Sequence, residues 1–526
     1  MESEKKYLPQ TKKFFEQFVE IGSSFKNLNK GNDKMMHSAL WYEKFRRAME
    51  DQEDHLILKN AISRIVRRKY ALAFSVTPES LFNDLMNELA WADYINLDSL
   101  TDEEISKIKN IIDRYLVLLA NVKSRTIQKY DAQKIIIGWM ASEIDEVLFC
   151  RKSQQFLIDY TYLCLKDNIK AVSGKLNGKE VEIQLKLSIL TLLYKPDYSY
   201  AQFWLVNKLF PDFNNFDLQK AKEIGFHFDN IVGHTEKVFK NPYAKNYLSY
   251  IKRHIAPFIL IKELPNYEKD LSQVLANPEI LKKKLIALYD ILVKKTREKV
   301  WRGTIRALIF ILLTKISMAF LIELPYDQFL KGSINYLSLM INVLFPPILM
   351  FFAGASVQNP PSKNRDIVLQ AIDNLIVYEK IDSKPFYIGK RKKSPSEIFF
   401  NFLYILFNIG IIIGVIYLLR RIDFNFVSIT LFFTFISAVS FFSFRIRNIA
   451  HELVMQVFRE NMIVSVIEFV FLPFILIGKF LSAVITKSNP FTITLDFLIE
   501  APLKTIIKIS NSWFRFIKQK KDDIDM

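Results

Sequence analysis

Five apolar stretches in the C-terminal part of the chain, residues 307–322, 337–353, 399–419, 426–444 and 463–485, constrain the fold more than anything else in the sequence. Each is close to the roughly 20 residues that a helix needs to cross the hydrocarbon of a bilayer. About three hundred charged, helix-forming residues precede them. The chain has 45 Phe but only 14 Gly in 526 residues, a balance that favours helices over sheets or glycine-rich nucleotide loops. The expected fold is all-α: an N-terminal cytosolic helical domain, residues 1–300, followed by an α-helical multi-pass membrane domain.

The formal charge is +17, and for a soluble protein that would suggest nucleic acid. Here the cations crowd beside the apolar stretches, where anionic lipid and the positive-inside rule account for them. Membrane lipid is therefore the expected partner of the basic surface, and nucleic acid is not. Two cysteines, Cys150 and Cys164, supply neither a disulfide framework nor a four-ligand zinc site. Residues 1–13 carry charges of both signs with no apolar run behind them. No secretory leader is read there, so the N-terminal domain is expected to stay in the cytoplasm.

Helix starts are written explicitly in several places. Thr101 and Glu104 form a capping box, and Thr77-Pro78-Glu79 and Asn277-Pro278-Glu279 place a cap, a first-turn proline and an acid in order. Periodic stretches at 40–73, 104–122 and 132–150 read as helices. Asn177-Gly178 signals either a hairpin between strands 171–176 and 180–185 or a helix–helix loop. The Pro- and Asn-containing loop 210–216 is a candidate subdomain joint.

In the membrane part, Lys294, Lys295, Arg297, Lys299, Arg302 and Arg306 mark the inner face before a first hairpin, 301–355. The connection 356–398 is long and basic and returns inside. A second hairpin and a broken apolar segment occupy 399–485. Pro473, Gly478 and Lys479 interrupt the last stretch, which favours four spans plus a re-entrant element over five spans. Residues 494–520 form a basic amphipathic helix, with Lys504, Lys508, Trp513, Arg515 and Lys518 expected to contact an anionic lipid surface.

Candidate functional residues are few. Lys315 and Glu468 lie inside apolar stretches, where ionisable groups default to a functional reading. They could pair with each other, or Lys315 could snorkel toward Glu323. Pro346 and Pro347 withdraw two backbone donors from the second span, and Pro473 one from the last, so helix breaks are expected at all three. Arg64, Arg67 and Arg68 form a basic cluster suited to phosphate or an acidic partner. Glu143, Asp145 and Glu146 read as a solvated acidic face. No catalytic motif, metal spacing or cofactor fingerprint is present, so no catalytic residue, metal or cofactor is assigned.

Three stretches carry a resemblance: residues 39–69 (ALWYEKFRRAMEDQEDHLILKNAISRIVRRK), 306–327 (RALIFILLTKISMAFLIELPYD) and 341–354 (INVLFPPILMFFAG). Together they resemble a family of uncharacterised multi-pass membrane proteins from reduced-genome bacteria of the candidate phyla radiation. The resemblance implies a helical domain joined to a multi-pass anchor; it lends no activity or site residue. The expected function is that of a multi-pass scaffold or assembly protein in the cell membrane, its cytosolic domain binding a macromolecular partner. A transporter or channel component, and an enzyme acting on lipid or envelope precursors, are the alternatives.

Overall fold

The computed structural model describes residues 11–16, 54–72, 76–92, 94–149, 152–171, 178–213, 216–268, 270–331, 335–357, 360–378, 385–388, 395–455 and 462–488. The chain divides into two compact units, 1–285 with 369–390 and 286–368 with 391–526.

In the N-terminal unit the described elements are α1 (Asp54–Leu72), α2 (Pro78–Trp91), α3 (Asp102–Asn121), α4 (Lys129–Phe149), α5 (Lys152–Leu165), β1 (Ile169–Ala171), α6 (Gly178–Tyr194) and α7 (Tyr198–Leu209). They are followed by α8 (Leu218–Phe226), α9 (Phe228–Phe239), α10 (Ala244–Lys252), α11 (Ala256–Glu263) and α12 (Leu271–Ala276). The caps form as the sequence specifies. Thr77 accepts from Ser80 N, and the Thr101–Glu104 box closes in both directions. Asn277 Oδ1 accepts from Glu279 N at 2.9 Å.

One apolar core runs from Leu58 to Val232, built from α1 through α4 with α7 to α9, and Trp139 and Tyr115 are fully enclosed in it. Phe213 and Phe216, on the 210–216 loop, are buried in that same core. Arg114 holds the loop down: it donates to the Phe216 carbonyl at 3.2 Å, lies over the Phe216 ring and pairs with Glu143.

One of the two alternatives at Asn177-Gly178, the hairpin, is excluded, and one expectation needs correction. Residues 180–185 belong to helix α6 and not to a strand. Ile169–Ala171 pairs instead in parallel with β2 (Phe386–Ile388), in the register Ile169 to Phe386. The acidic face of α4 is not solvated. Glu143 is largely enclosed against Arg114, and Asp145 is fully buried.

His254, on the turn between α10 and α11, is expected to make the unit acid-sensitive. Its Nδ1 is buried and, among the described residues, has no hydrogen-bond partner; its ring meets Tyr250 edge-on. Burial, reinforced by the charge of Arg253, pushes its pKa down to about 4. An unfolded chain takes up that proton near the ordinary value, about 6.5. Between those values the unfolded state binds more protons, so stability is lost as pH falls through the window. The expected loss is about 3 kcal/mol. Thermal melts of full-length protein from pH 7 to pH 4.5 check this, and His254→Gln should flatten the low-pH limb; an unchanged limb would assign acid sensitivity to other groups.

The second unit is built on helices that suit a bilayer. α13 (Pro278–Met318) continues through a π-helical turn, Ala319–Glu323, a short α-turn at Leu324–Tyr326 and a second π-helical segment, Asp327–Lys331. It is followed by α14 (Tyr336–Ala355), by α15 (Ser362–Tyr378), whose residues from 369 on belong to the first unit, and by α16 (Pro395–Arg421), α17 (Phe426–Ala450) and α18 (Met462–Ser488). Four apolar helices, Pro278–Phe329, Tyr336–Ala355, Ile398–Arg421 and Phe426–Ala450, are long enough to cross a membrane. Large apolar side chains such as Phe310, Leu321, Phe352 and Phe400 stand exposed along them. Lipid is the natural solvent for such a surface.

The prolines do not unwind their helices. α14 is helical through Pro346 and Pro347, and α18 through Pro473. All three prolines are buried, and the helices stay continuous across them. Gly478 is likewise a packing residue rather than an interruption. A Cβ there would lie 2.2 Å from the Ser437 carbonyl and 2.6 Å from Phe441 Cβ, so only glycine lets α18 approach α17 so closely. Gly478→Val is expected to destabilise the unit by about 1–3 kcal/mol through overpacking. A lowered Tm in detergent, with Gly410→Val as a comparison where a Cβ meets open space, is the check.

Candidate functional site

Each unit encloses a cluster of polar and charged side chains. In the N-terminal unit a cleft of about 820 Å³ opens between α1, α4, α7 and α9. Its floor is Lys59. The Lys59 ammonium is almost entirely enclosed and donates to Asp197 and to the Ser199 hydroxyl. Local structure places those partners. Asp197 is the N-cap of α7, its Oδ1 accepting from Tyr200 N at 3.0 Å while Oδ2 faces Lys59 and Ser199. Gly138 on α4 makes room, since a Cβ there would lie 2.7 Å from Ser199 Cβ. Burial pushes the Lys59 pKa below its ordinary value, against the pull of Asp197 and the more modest one of Asp145.

Most carboxylates around the cleft are committed. Glu236 pairs with Lys240 and accepts from the Tyr198 hydroxyl at 2.6 Å. Asp229 is held by the Ser124 hydroxyl and by the backbone amides of Arg125 and Thr126. Asp131 stands exposed at the rim. The cations are less fully engaged. Lys134 is exposed, and Arg67 makes one long contact with Ser63 Oγ at 3.5 Å and, among the described residues, meets no carboxylate. The predicted basic cluster therefore separates. Arg67 lines the cleft, Arg68 is tied to Glu88, and Arg64 lies outside the lining.

In the membrane unit Lys315 of α13 meets Glu323 on its continuation, and Glu323 and Asp327 there meet polar groups of α14, of α17 or of the α17 cap. Lys315 Nζ donates to Glu323 Oε1 at 3.1 Å and lies over the Phe435 ring. Asn342 Nδ2 donates to Glu323 Oε2 at 2.8 Å and to the Ser428 carbonyl at 3.3 Å, and the Ser428 hydroxyl reaches Glu323 Oε2 at 3.4 Å. Lys315, Glu323 and Asn342 are 0%, 1% and 0% exposed. Toward the end of the span Asp327 accepts from Asn425 Nδ2 at 2.7 Å, and Asn425 caps α17. The π-helical turn carries Glu323 itself; such turns often accompany functional positions.

Sequence reasoning found Lys315 but not its full setting. Glu323 was visible only as a neighbour within snorkelling reach, and Asn342, Ser428, Asp327 and Asn425 were not singled out. One signal was available, an asparagine four residues before Pro346 in an apolar span. Glu468 lies in α18, and its side chain is outside the described ones, as are Lys504, Lys508, Trp513, Arg515 and Lys518. Among the described residues no group of three or more His, Cys, Asp or Glu could hold a metal ion. No protein-family model, curated protein or solved structure matches the chain.

Proposed function

We propose that this is a multi-pass protein of the cell membrane whose N-terminal unit lies in the cytoplasm and holds a macromolecular partner, a scaffold or assembly factor. The observation that carries the reading is Arg67, a guanidinium that lines a large cleft and, among the described residues, meets no carboxylate. A half-buried guanidinium is suited to bidentate capture of a carboxylate or phosphate. The partner accordingly presents an acidic group, with Lys134 at the rim adding attraction. The cytoplasmic placement rests on the cations at 294–306 that precede the first span.

A photo-crosslinking residue at position 134, introduced into the full-length protein in its native membrane, tests the proposal. One discrete crosslinked partner is expected, with its yield lost in Arg67→Glu and kept in Lys222→Glu, an exposed charge outside the cleft. Reversal of an engaged arginine should weaken binding roughly 30-fold or more. Equal yields from the two reversals would sink the proposal.

A further inference from the structure

The membrane unit holds more oxygen acceptors around Glu323 than its donors satisfy. Asn342 is fully buried, both of its described amide contacts run through Nδ2, and among the described residues its Oδ1 has no hydrogen-bond partner. Its backbone carbonyl has lost the usual helical donor four residues on, because that residue is Pro346. The Ser428 hydroxyl and carbonyl and the second oxygen of Glu323 stand in the same place. An unmatched buried acceptor in an apolar bundle is costly, and a cation satisfies several at once.

We propose that Glu323, Asn342 and Ser428 form a binding site for a small inorganic monovalent cation, sodium in the first instance, with the Lys315 ammonium as its tethered competitor. The charge count selects the valence. One carboxylate balances one positive charge, whereas a divalent ion in a hydrocarbon setting calls for more carboxylates than this cluster has. The neutral ligands are also of the right kind for a hard monovalent cation: an amide oxygen, a hydroxyl and the Asn342 carbonyl, which Pro346 leaves without its helical donor. Lys315 now occupies Glu323 Oε1 as the bound cation would, while Asn342 Oδ1 stays unmatched among the described residues.

The test uses purified full-length protein in detergent, with sodium replaced at constant ionic strength by N-methylglucamine. Saturable, stoichiometric binding of radioactive sodium to the wild type is expected, and it should be lost in Glu323→Gln and Asn342→Leu. Lys315→Met should bind at least about 10-fold more tightly, and its Tm should rise by several degrees between about 1 and 100 mM sodium. A gain of that kind is not produced by misfolding. Absence of saturable binding to the wild type overturns the proposal, and so does a folded Lys315→Met whose Tm ignores sodium. Should Lys315→Met fail to fold, the Asn342→Leu comparison decides: retained sodium binding rejects the site, and lost binding with an unchanged elution profile supports it.

Discussion

Asp197→Ala is expected to destabilise the N-terminal unit by about 3–5 kcal/mol, far more than a surface ion pair would. Two losses combine at that position. Removing the N-cap of α7 costs about 1 kcal/mol, because Tyr200 N loses its acceptor. The larger part comes from Lys59, whose enclosed ammonium would be left without the carboxylate that faces it. Asp197→Asn separates the two, since asparagine caps as well as aspartate but carries no charge. If the ion pair dominates, Asp197→Asn should lose most of what Asp197→Ala loses; if the cap dominates, it should be nearly silent. Lys59→Met should be milder than either, because Asp197 is partly exposed and water can solvate it. The double variant Lys59→Met/Asp197→Ala should recover much of the loss. Chemical denaturation of the full-length protein, read as helix signal, gives the four values for the cycle.

What could be read from the chain followed from local chemistry. The caps at Thr77, Thr101 and Asn277 depend on residues within one turn of each other, and all three form. The apolar spans depend on length and composition, and four helices meet both conditions. What was hidden depends on distant partners. Nothing near Glu143 announces Arg114, so an acid that is a core ion pair looked like a solvated one. Ile169–Ala171 finds its strand partner more than two hundred residues away, across the whole of α6 to α15, and Asn177-Gly178 carries no hint of it. Pro473 and Gly478 were legible as helix breakers, but close packing against α17 needs a residue without a side chain at 478 and holds the helix through the proline. The cleft illustrates the same division. The cluster of Arg64, Arg67 and Arg68 is plain in the sequence, yet only the rotation of α1 decides that Arg67 faces the cleft while Arg68 reaches Glu88.

Within the membrane unit the largest expected effect is at Glu323. Glu323→Leu removes the only carboxylate that Lys315 contacts among the described residues and leaves a cation enclosed among apolar side chains. Breaking a buried pair in this way costs about 3–5 kcal/mol in a protein interior. The ammonium has one partial refuge, the face of Phe435, and a cation–π contact offsets no more than about 2 kcal/mol. Asn342 also loses an acceptor for its amide, although the Ser428 carbonyl remains. The single variant should therefore melt well below the wild type in detergent. Adding Lys315→Met to it removes the stranded charge, and Tm should return most of the way, because an apolar pair of similar volume serves a buried site about as well as an ion pair does. Such recovery would mean that packing alone never required the two charges. Their presence would then need a reason other than stability, and an ion that comes and goes at Glu323 supplies one. Failure of the double variant to recover would instead place the pair in the architecture, as the link that joins α13 to α14 and α17.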